Sequence, residues 1–72
     1  MKIGNKCKII SDNDGYTKFL NKVLVVTFVS KNKNDHPGYD EALSPQKLYD
    51  LKVHKTNEIV PFSLYDYELQ TL

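Results

Sequence analysis

The 72-residue sequence has no arginine, no tryptophan and only one cysteine. A single cysteine excludes an internal disulfide framework, so we expect a reducing, cytoplasmic setting. No apolar run approaches the ~20 residues that a membrane-spanning helix needs, so we expect a soluble protein with no membrane partner. Without arginine, the chain lacks the side chain best suited to bidentate recognition of guanine.

Signatures of common enzymes and cofactor sites are also missing. The sequence has no Ser-His-acid order, no glycine-rich phosphate loop and no paired His or Cys spacing for a metal. Residues 11–15 resemble part of a calcium loop, but the loop's spacing would put Ile10 at the first ligand and Asn21 where a bidentate acid is required. We therefore expect no bound metal and no cofactor.

Cys7 is the one conceivable nucleophile, with His36 or His54 as its base. The alternating pattern around Cys7 points its side chain inward, where a cysteine is normally a small inert apolar group. We therefore predict that the protein is not an enzyme.

Alternation of polar and apolar residues predicts five short strands in a single domain over residues 1–72. The expected strands cover residues 6–10, 23–30, 47–53, 58–62 and 67–72. In the first, Cys7 and Ile9 face the core. The second is apolar on both faces and contains Val26 as a core residue, which predicts either cover on both faces or a bulge that switches faces midway.

Three connections stand out between these strands. Residues 16–21 are expected to form a helical turn or an irregular loop over one end of the domain. Residues 31–45 are expected to form a long unstructured loop, mobile without a partner, with His36 solvated near its tip. Ser63, followed three residues later by Asp66, predicts a 3₁₀ turn before the last strand.

Together these features resemble an SH3-like barrel. Residues 3–9, Ile-Gly-Asn-Lys-Cys-Lys-Ile, resemble the opening strand of many small bacterial barrels. Residues 16–29 are similar to a KOW-type segment, with Asn21 and Leu24 where that motif usually has glycines. Residues 61–69 resemble the closing segment of uncharacterised small bacterial and phage barrels. The resemblance implies an all-β, five-stranded SH3-like barrel with a long loop after strand 2 and a 3₁₀ turn before the last strand.

Protein binding is the leading functional hypothesis. Five tyrosines and three phenylalanines exceed what the core of five short strands needs, and tyrosine is enriched at interfaces. An SH3-like barrel would bring its long loops and its 3₁₀ turn to one side. The predicted partner-binding residues are Tyr16, Phe19, His36, Tyr39, Tyr65 and Tyr67. The alternative is a purely structural role, in which these rings cover the ends of a small core.

Such a non-enzymatic domain would be a monomer or a weak homodimer, and a phage or mobile-element inhibitor or adaptor is one form it could take. A polyproline groove of the eukaryotic SH3 kind typically uses a tryptophan, which is missing here.

Nucleic-acid binding is the alternative, because charge is unevenly distributed along a chain of net charge +1. Residues 1–33 hold seven lysines and two acids, whereas residues 34–72 hold three lysines and seven acids. KOW-like, ribosome-associated or other nucleic-acid binding would use an N-terminal lysine face, with Tyr16 and Phe19 stacking on a base. That face consists of Lys6, Lys8, Lys18 and Lys22.

Overall fold

The computed structural model describes residues 1–11 and 13–72, and five strands form one antiparallel sheet in the order β4-β3-β2-β1-β5. The strands are β1 (Lys6–Ile9), β2 (Leu24–Ser30), β3 (Leu48–Val53), β4 (Leu64–Tyr65) and β5 (Leu69–Thr71). Three 3₁₀ turns are η1 (Asp14–Phe19), η2 (Glu41–Leu43) and η3 (Asp66–Glu68).

The all-β prediction is confirmed. Within residues 1–11 and 13–72, β4 and β5 are the two edges of the sheet and do not pair with each other, so the sheet is not closed into a barrel. No helical segment of this part of the chain has the length and apolar character needed to cross a membrane.

The main core lies on one face of the sheet. β1 alternates as predicted, with Cys7 and Ile9 buried and Lys6 and Lys8 exposed. Burial raises the pKa of the Cys7 thiol to about 11. A thiol with so high a pKa stays protonated at neutral pH and is a poor nucleophile.

β2 changes faces at Thr27. Val26 pairs with Leu51 but Phe28 pairs with Asp50, so Thr27 is an extra residue in the ladder. Val26 points into the core before this position and is 1% exposed, whereas Phe28 after it is 43% exposed. Of the two alternatives predicted for β2, the structure contains the bulge, and the predicted burial of Val26 is confirmed.

The segment between β2 and β3 folds back onto the opposite face of the sheet. Adjacent strand residues point to opposite faces, so Leu48 lies on the face opposite to Tyr49, and both are buried. Tyr39, in the middle of the segment, is 1% exposed. The prediction of an unstructured loop with a solvated His36 is therefore wrong: the segment contains η2, and His36 is half-buried.

Residues 58–62 do not form the predicted fourth strand. Val60 donates a backbone hydrogen bond to Leu51, and Ile59 forms an isolated bridge with Lys52. Pro61 has no N–H, so the pairing ends there. The fourth strand is β4, two residues further along, where Leu64 and Tyr65 pair with the start of β3.

The predicted 3₁₀ turn before the last strand is present as η3. It begins at Asp66, and Tyr65 rather than Ser63 is the residue that flanks it. The Ser63 hydroxyl instead donates a hydrogen bond to the Asp50 carboxylate. The turn therefore starts two residues later than the cap pattern indicated.

Candidate partner-binding surface

Three tyrosines from three segments form a column that runs from the interior to the surface. The Tyr39 ring meets the Tyr65 ring edge-on, with centroids 5.7 Å apart. Tyr65 in turn stacks with Tyr67 at a centroid distance of 6.2 Å and an interplanar angle of 8°. Tyr67 is 59% exposed. This tyrosine column therefore presents one aromatic ring to solvent on top of two rings that the fold supports.

Hydrogen bonds fix the two inner rings of the column. The Tyr39 hydroxyl donates to the backbone oxygen of Gln46, and the Tyr65 hydroxyl accepts from the backbone amide of Asp40 at 2.8 Å. Tyr65 also lies opposite Leu48 in the β3–β4 pair. Because both phenols are bonded and both rings are packed, the inner column has little rotational freedom.

The turn that carries Tyr67 is fixed to the start of β3. The Tyr67 amide donates to the Gln46 side-chain oxygen at 3.2 Å. The Asp66 carboxylate accepts from the Lys47 amide at 2.7 Å and from the Tyr49 hydroxyl at 2.6 Å. Burial, followed by the hydrogen bond to Asp66, raises the pKa of Tyr49. η3 is thus held to the segment before β3 in two ways: the Gln46 side chain binds the backbone of η3, and the Asp66 side chain of η3 binds the backbone of Lys47.

A second aromatic group lies at the edge of the main core. Tyr16 stacks on Phe62 with centroids 4.5 Å apart, and Phe19 meets Phe62 edge-on at 5.7 Å. Phe19 is 3% exposed and belongs to the core, while Tyr16 and Phe62 are half-buried and pack against it. We call these three rings the core-edge cluster.

Glu68 connects the core-edge cluster to the tyrosine column. Its carboxylate is buried, accepting from the Tyr16 hydroxyl at 2.9 Å through Oε2 and from the Tyr65 amide at 3.1 Å through Oε1. Burial, then the hydrogen bond to Glu68 and its charge, raise the pKa of Tyr16 to about 12. The polar end of Tyr16 is therefore used inside the protein.

His36 is a ring of neither aromatic group and lies beside Ser63 and Asp50. The Ser63 hydroxyl donates to Asp50 and lies 3.1 Å from His36 Nε2, which is 3.6 Å from the same carboxylate. The Gly38 amide donates to His36 Nδ1 at 3.0 Å. Since Nδ1 accepts that bond, the neutral ring carries its proton on Nε2 and cannot take the serine proton. The arrangement anchors the 31–45 segment to β3.

The four lysines of the alternative hypothesis do not form one cluster. Lys6 and Lys8 project from β1, whereas Lys18 pairs with Glu58. Lys22 lies in the turn before β2 and shares a groove with Lys8. That groove is otherwise lined mainly by aliphatic side chains.

The aromatic rings expected beside these lysines are turned inward. Phe19 is in the core, and Tyr16 is bonded to Glu68. The Phe19 ring therefore has no open face for a base in this conformation, and the hydroxyl of Tyr16 is held inside the protein.

The structure brings together some of the predicted partner-binding residues and separates others. Tyr39, Tyr65 and Tyr67 form the tyrosine column, Tyr16 and Phe19 belong to the core-edge cluster, and His36 is in neither. Sequence reasoning missed Phe62 and Glu68. Phe62 was assigned to a strand, and no local pattern indicates that Glu68 lies beneath a tyrosine more than fifty positions away.

In residues 1–11 and 13–72, no three His, Cys, Asp or Glu side chains are grouped so that they could hold a metal ion. No protein-family model matches the chain, and neither the curated proteins nor the solved structures contain a match.

Proposed function

We propose that this chain is a non-enzymatic interaction domain that binds a protein partner through the outer end of the tyrosine column. The observation that carries the proposal is the exposed Tyr67 ring stacked in parallel on Tyr65. Tyrosine offers a large apolar face and a polar end, and such rings dominate many protein interfaces. A ring whose supports are already fixed loses little conformational entropy on binding.

We further propose that the domain has an SH3-like architecture. Three features support this: β5 lies beside β1 rather than beside β4, a 3₁₀ turn precedes β5, and long segments follow β1 and β2. In this arrangement η3 and the 31–45 segment lie next to each other, which is how the column comes to be assembled from separate parts of the chain.

Affinity capture with matched variants tests the proposed function. Tagged wild-type protein, Tyr67→Ala and the control Lys55→Ala would be exposed to lysate of the source cells, with and without nuclease. We expect the wild type to capture a stoichiometric protein band that survives nuclease. Lys55→Ala alters an exposed residue outside the column and should retain this band. Tyr67→Ala should lose it. A partner that Tyr67→Ala captures as well as the wild type does would overturn the proposal.

The second candidate is nucleic-acid binding through the N-terminal lysine face, of which Lys8 in β1 and Lys22 before β2 lie together. The observation that favours it is that Lys8 and Lys22 border one groove of about 540 Å³. Binding of single-stranded RNA would weaken steeply with salt, because lysine–phosphate contacts release counterions. A Lys8→Glu, Lys22→Glu double variant should abolish such binding and leave capture of the protein partner unchanged. Salt-insensitive binding, or none, would contradict this candidate.

A further inference from the structure

A groove next to η3 combines apolar side chains with lysines. It has a volume of about 440 Å³ and is lined by Met1, Lys2, Ile3, Val29, Lys31 and Lys47. Met1 and Val29 pack against the main core, so the floor of the groove is continuous with the interior. Ile3 is 62% exposed at its wall. We call this feature the lysine–aliphatic groove.

The three lysines come from separate segments: the N-terminal turn, the residue after β2 and the residue before β3. In the part of the chain that the structure describes, the salt bridges involve Lys18 and His36 and none of these three, and no carboxylate lines the groove. Asp35 and Asp66, from adjacent segments, accept hydrogen bonds from the backbone amides of Lys31 and Lys47. Among the described residues, the three ammonium groups therefore have no salt-bridge partner and no carboxylate in the lining of the groove.

The groove adjoins the turn that carries the tyrosine column. The Asp66 amide donates to the Lys47 backbone oxygen at 3.1 Å, and the Tyr67 amide donates to Gln46 at 3.2 Å. Lys47 therefore belongs to the groove and also holds the base of η3. A ligand in the groove would contact Lys47, beside the turn that carries Tyr67, without needing the Tyr67 ring.

We propose that the lysine–aliphatic groove binds an acidic segment of a protein. An aliphatic side chain of that segment packs on Ile3 and Val29, while flanking carboxylates face the lysines. Charge complementarity selects this occupant, because three lysines line the groove and, among the residues that the structure describes, no carboxylate does. Nucleic acid fits less well, because the described residues that line the groove include no aromatic ring for base stacking. This proposal goes beyond the proposed function and does not depend on it.

Selection from a phage-displayed library of random short peptides tests the chemistry directly. The whole chain would be the bait, and Lys2→Glu, Lys31→Glu would be the counter-bait. We expect enriched peptides in which an aliphatic residue is flanked by Asp or Glu. In titrations of the enriched peptide, amide NMR signals of Ile3, Val29 and Lys31 should shift. The charge-reversal variant should weaken binding about tenfold or more, the range measured for close interfacial charge pairs.

Two controls separate this proposal from the one on the tyrosine column. Lys55→Glu makes one such charge reversal at an exposed turn outside the groove and should leave peptide binding unchanged. Tyr67→Ala should leave it within about twofold, because the groove does not include that ring. Three results would each overturn the groove proposal. The selection could enrich no peptide, or it could enrich peptides that are basic or lack acids. It could also enrich acidic peptides that the Lys2→Glu, Lys31→Glu double variant binds as well as the wild type does. Loss of peptide binding in Tyr67→Ala alone would assign the peptide to the column and likewise overturn it.

Discussion

The tyrosine column and the core-edge cluster are both built from three aromatic rings in contact. They differ in their outermost ring, which is exposed to solvent in the column and hydrogen-bonded to a buried carboxylate in the cluster. In the column, exposure increases outward from Tyr39 to Tyr67. In the core-edge cluster, the outer ring, Tyr16, uses its hydroxyl to satisfy the buried Glu68. The comparison shows that a tyrosine's availability depends on the partner of its hydroxyl and on what lies behind its ring, and less on whether it lies in a loop.

The largest effect should come from the inner ring of the core-edge cluster. Phe19→Ala removes a ring that is 3% exposed and contacts Phe62. Truncation of a buried phenylalanine costs about 3–5 kcal/mol in free energy of unfolding. Urea denaturation of the variant and the wild type measures this. A loss below about 1 kcal/mol would show that the cluster is not part of the core.

An intermediate effect is expected at the outer ring of the same cluster. Tyr16→Phe keeps the stacking on Phe62 but deprives the buried Glu68 carboxylate of a donor. Leaving such an acceptor unsatisfied costs about 1–3 kcal/mol, which equilibrium denaturation would detect. Partner capture should be unchanged. Wild-type stability together with lost capture would reverse the roles assigned to Tyr16 and Tyr67.

Alkaline pH should lower the stability of the protein, in part through Tyr16 of the core-edge cluster. The pKa of Tyr16 is raised from 10.0 to about 12, so the folded state holds this proton more tightly than the unfolded state does. The resulting stability is fully present below pH 10 and is lost as pH rises towards 12. Cys7, raised from 9.0 to about 11, acts in the same direction from a lower pH.

We therefore expect stability to fall progressively as pH rises above 9, first through Cys7 and then through Tyr16. Denaturant titrations across this range measure the slope. Tyr16→Phe should have a shallower slope than the wild type above pH 10. Identical slopes for the two proteins would contradict the assigned role of the Tyr16 hydroxyl.

The smallest effect on stability is expected at the end of the column. Tyr67→Ala removes an exposed ring whose side chain supports nothing further out. Its free energy of unfolding should stay within about 0.5 kcal/mol of the wild type. Denaturation run beside the capture experiment checks this. A loss of several kcal/mol would mean that Tyr67 supports the fold and that its exposure is no sign of a binding role.

The features that sequence reasoning predicted correctly are local ones. The alternation around Cys7 fixes its burial, and the doubly apolar run of β2 indicated the bulge beside Val26. Both follow from the two-residue period of a strand. The 3₁₀ turn before β5 was also found, although its start was displaced.

The features that sequence reasoning missed depend on contacts between distant segments. Tyr39 is one apolar residue in a polar stretch, so no periodic signal reveals that it covers one face of the sheet. Ser63, His36 and Asp50 meet only because the 31–45 segment folds back onto β3. The position of β4 likewise depends on how far residues 58–62 pair with β3 before Pro61 ends that pairing. The presence of a proline in the sequence does not by itself specify this.

The most direct test of the central claim is residue-by-residue iodination of the five tyrosines, read by peptide mass spectrometry, in the free protein and in its complex with the captured partner. We expect Tyr67 to react first in the free protein and to be protected in the complex. Tyr39 and Tyr16 should react slowly in both. Preferential reaction of Tyr16 or Tyr39, or an unchanged rate at Tyr67 when the partner is bound, would contradict the assignment of the tyrosine column as the binding surface.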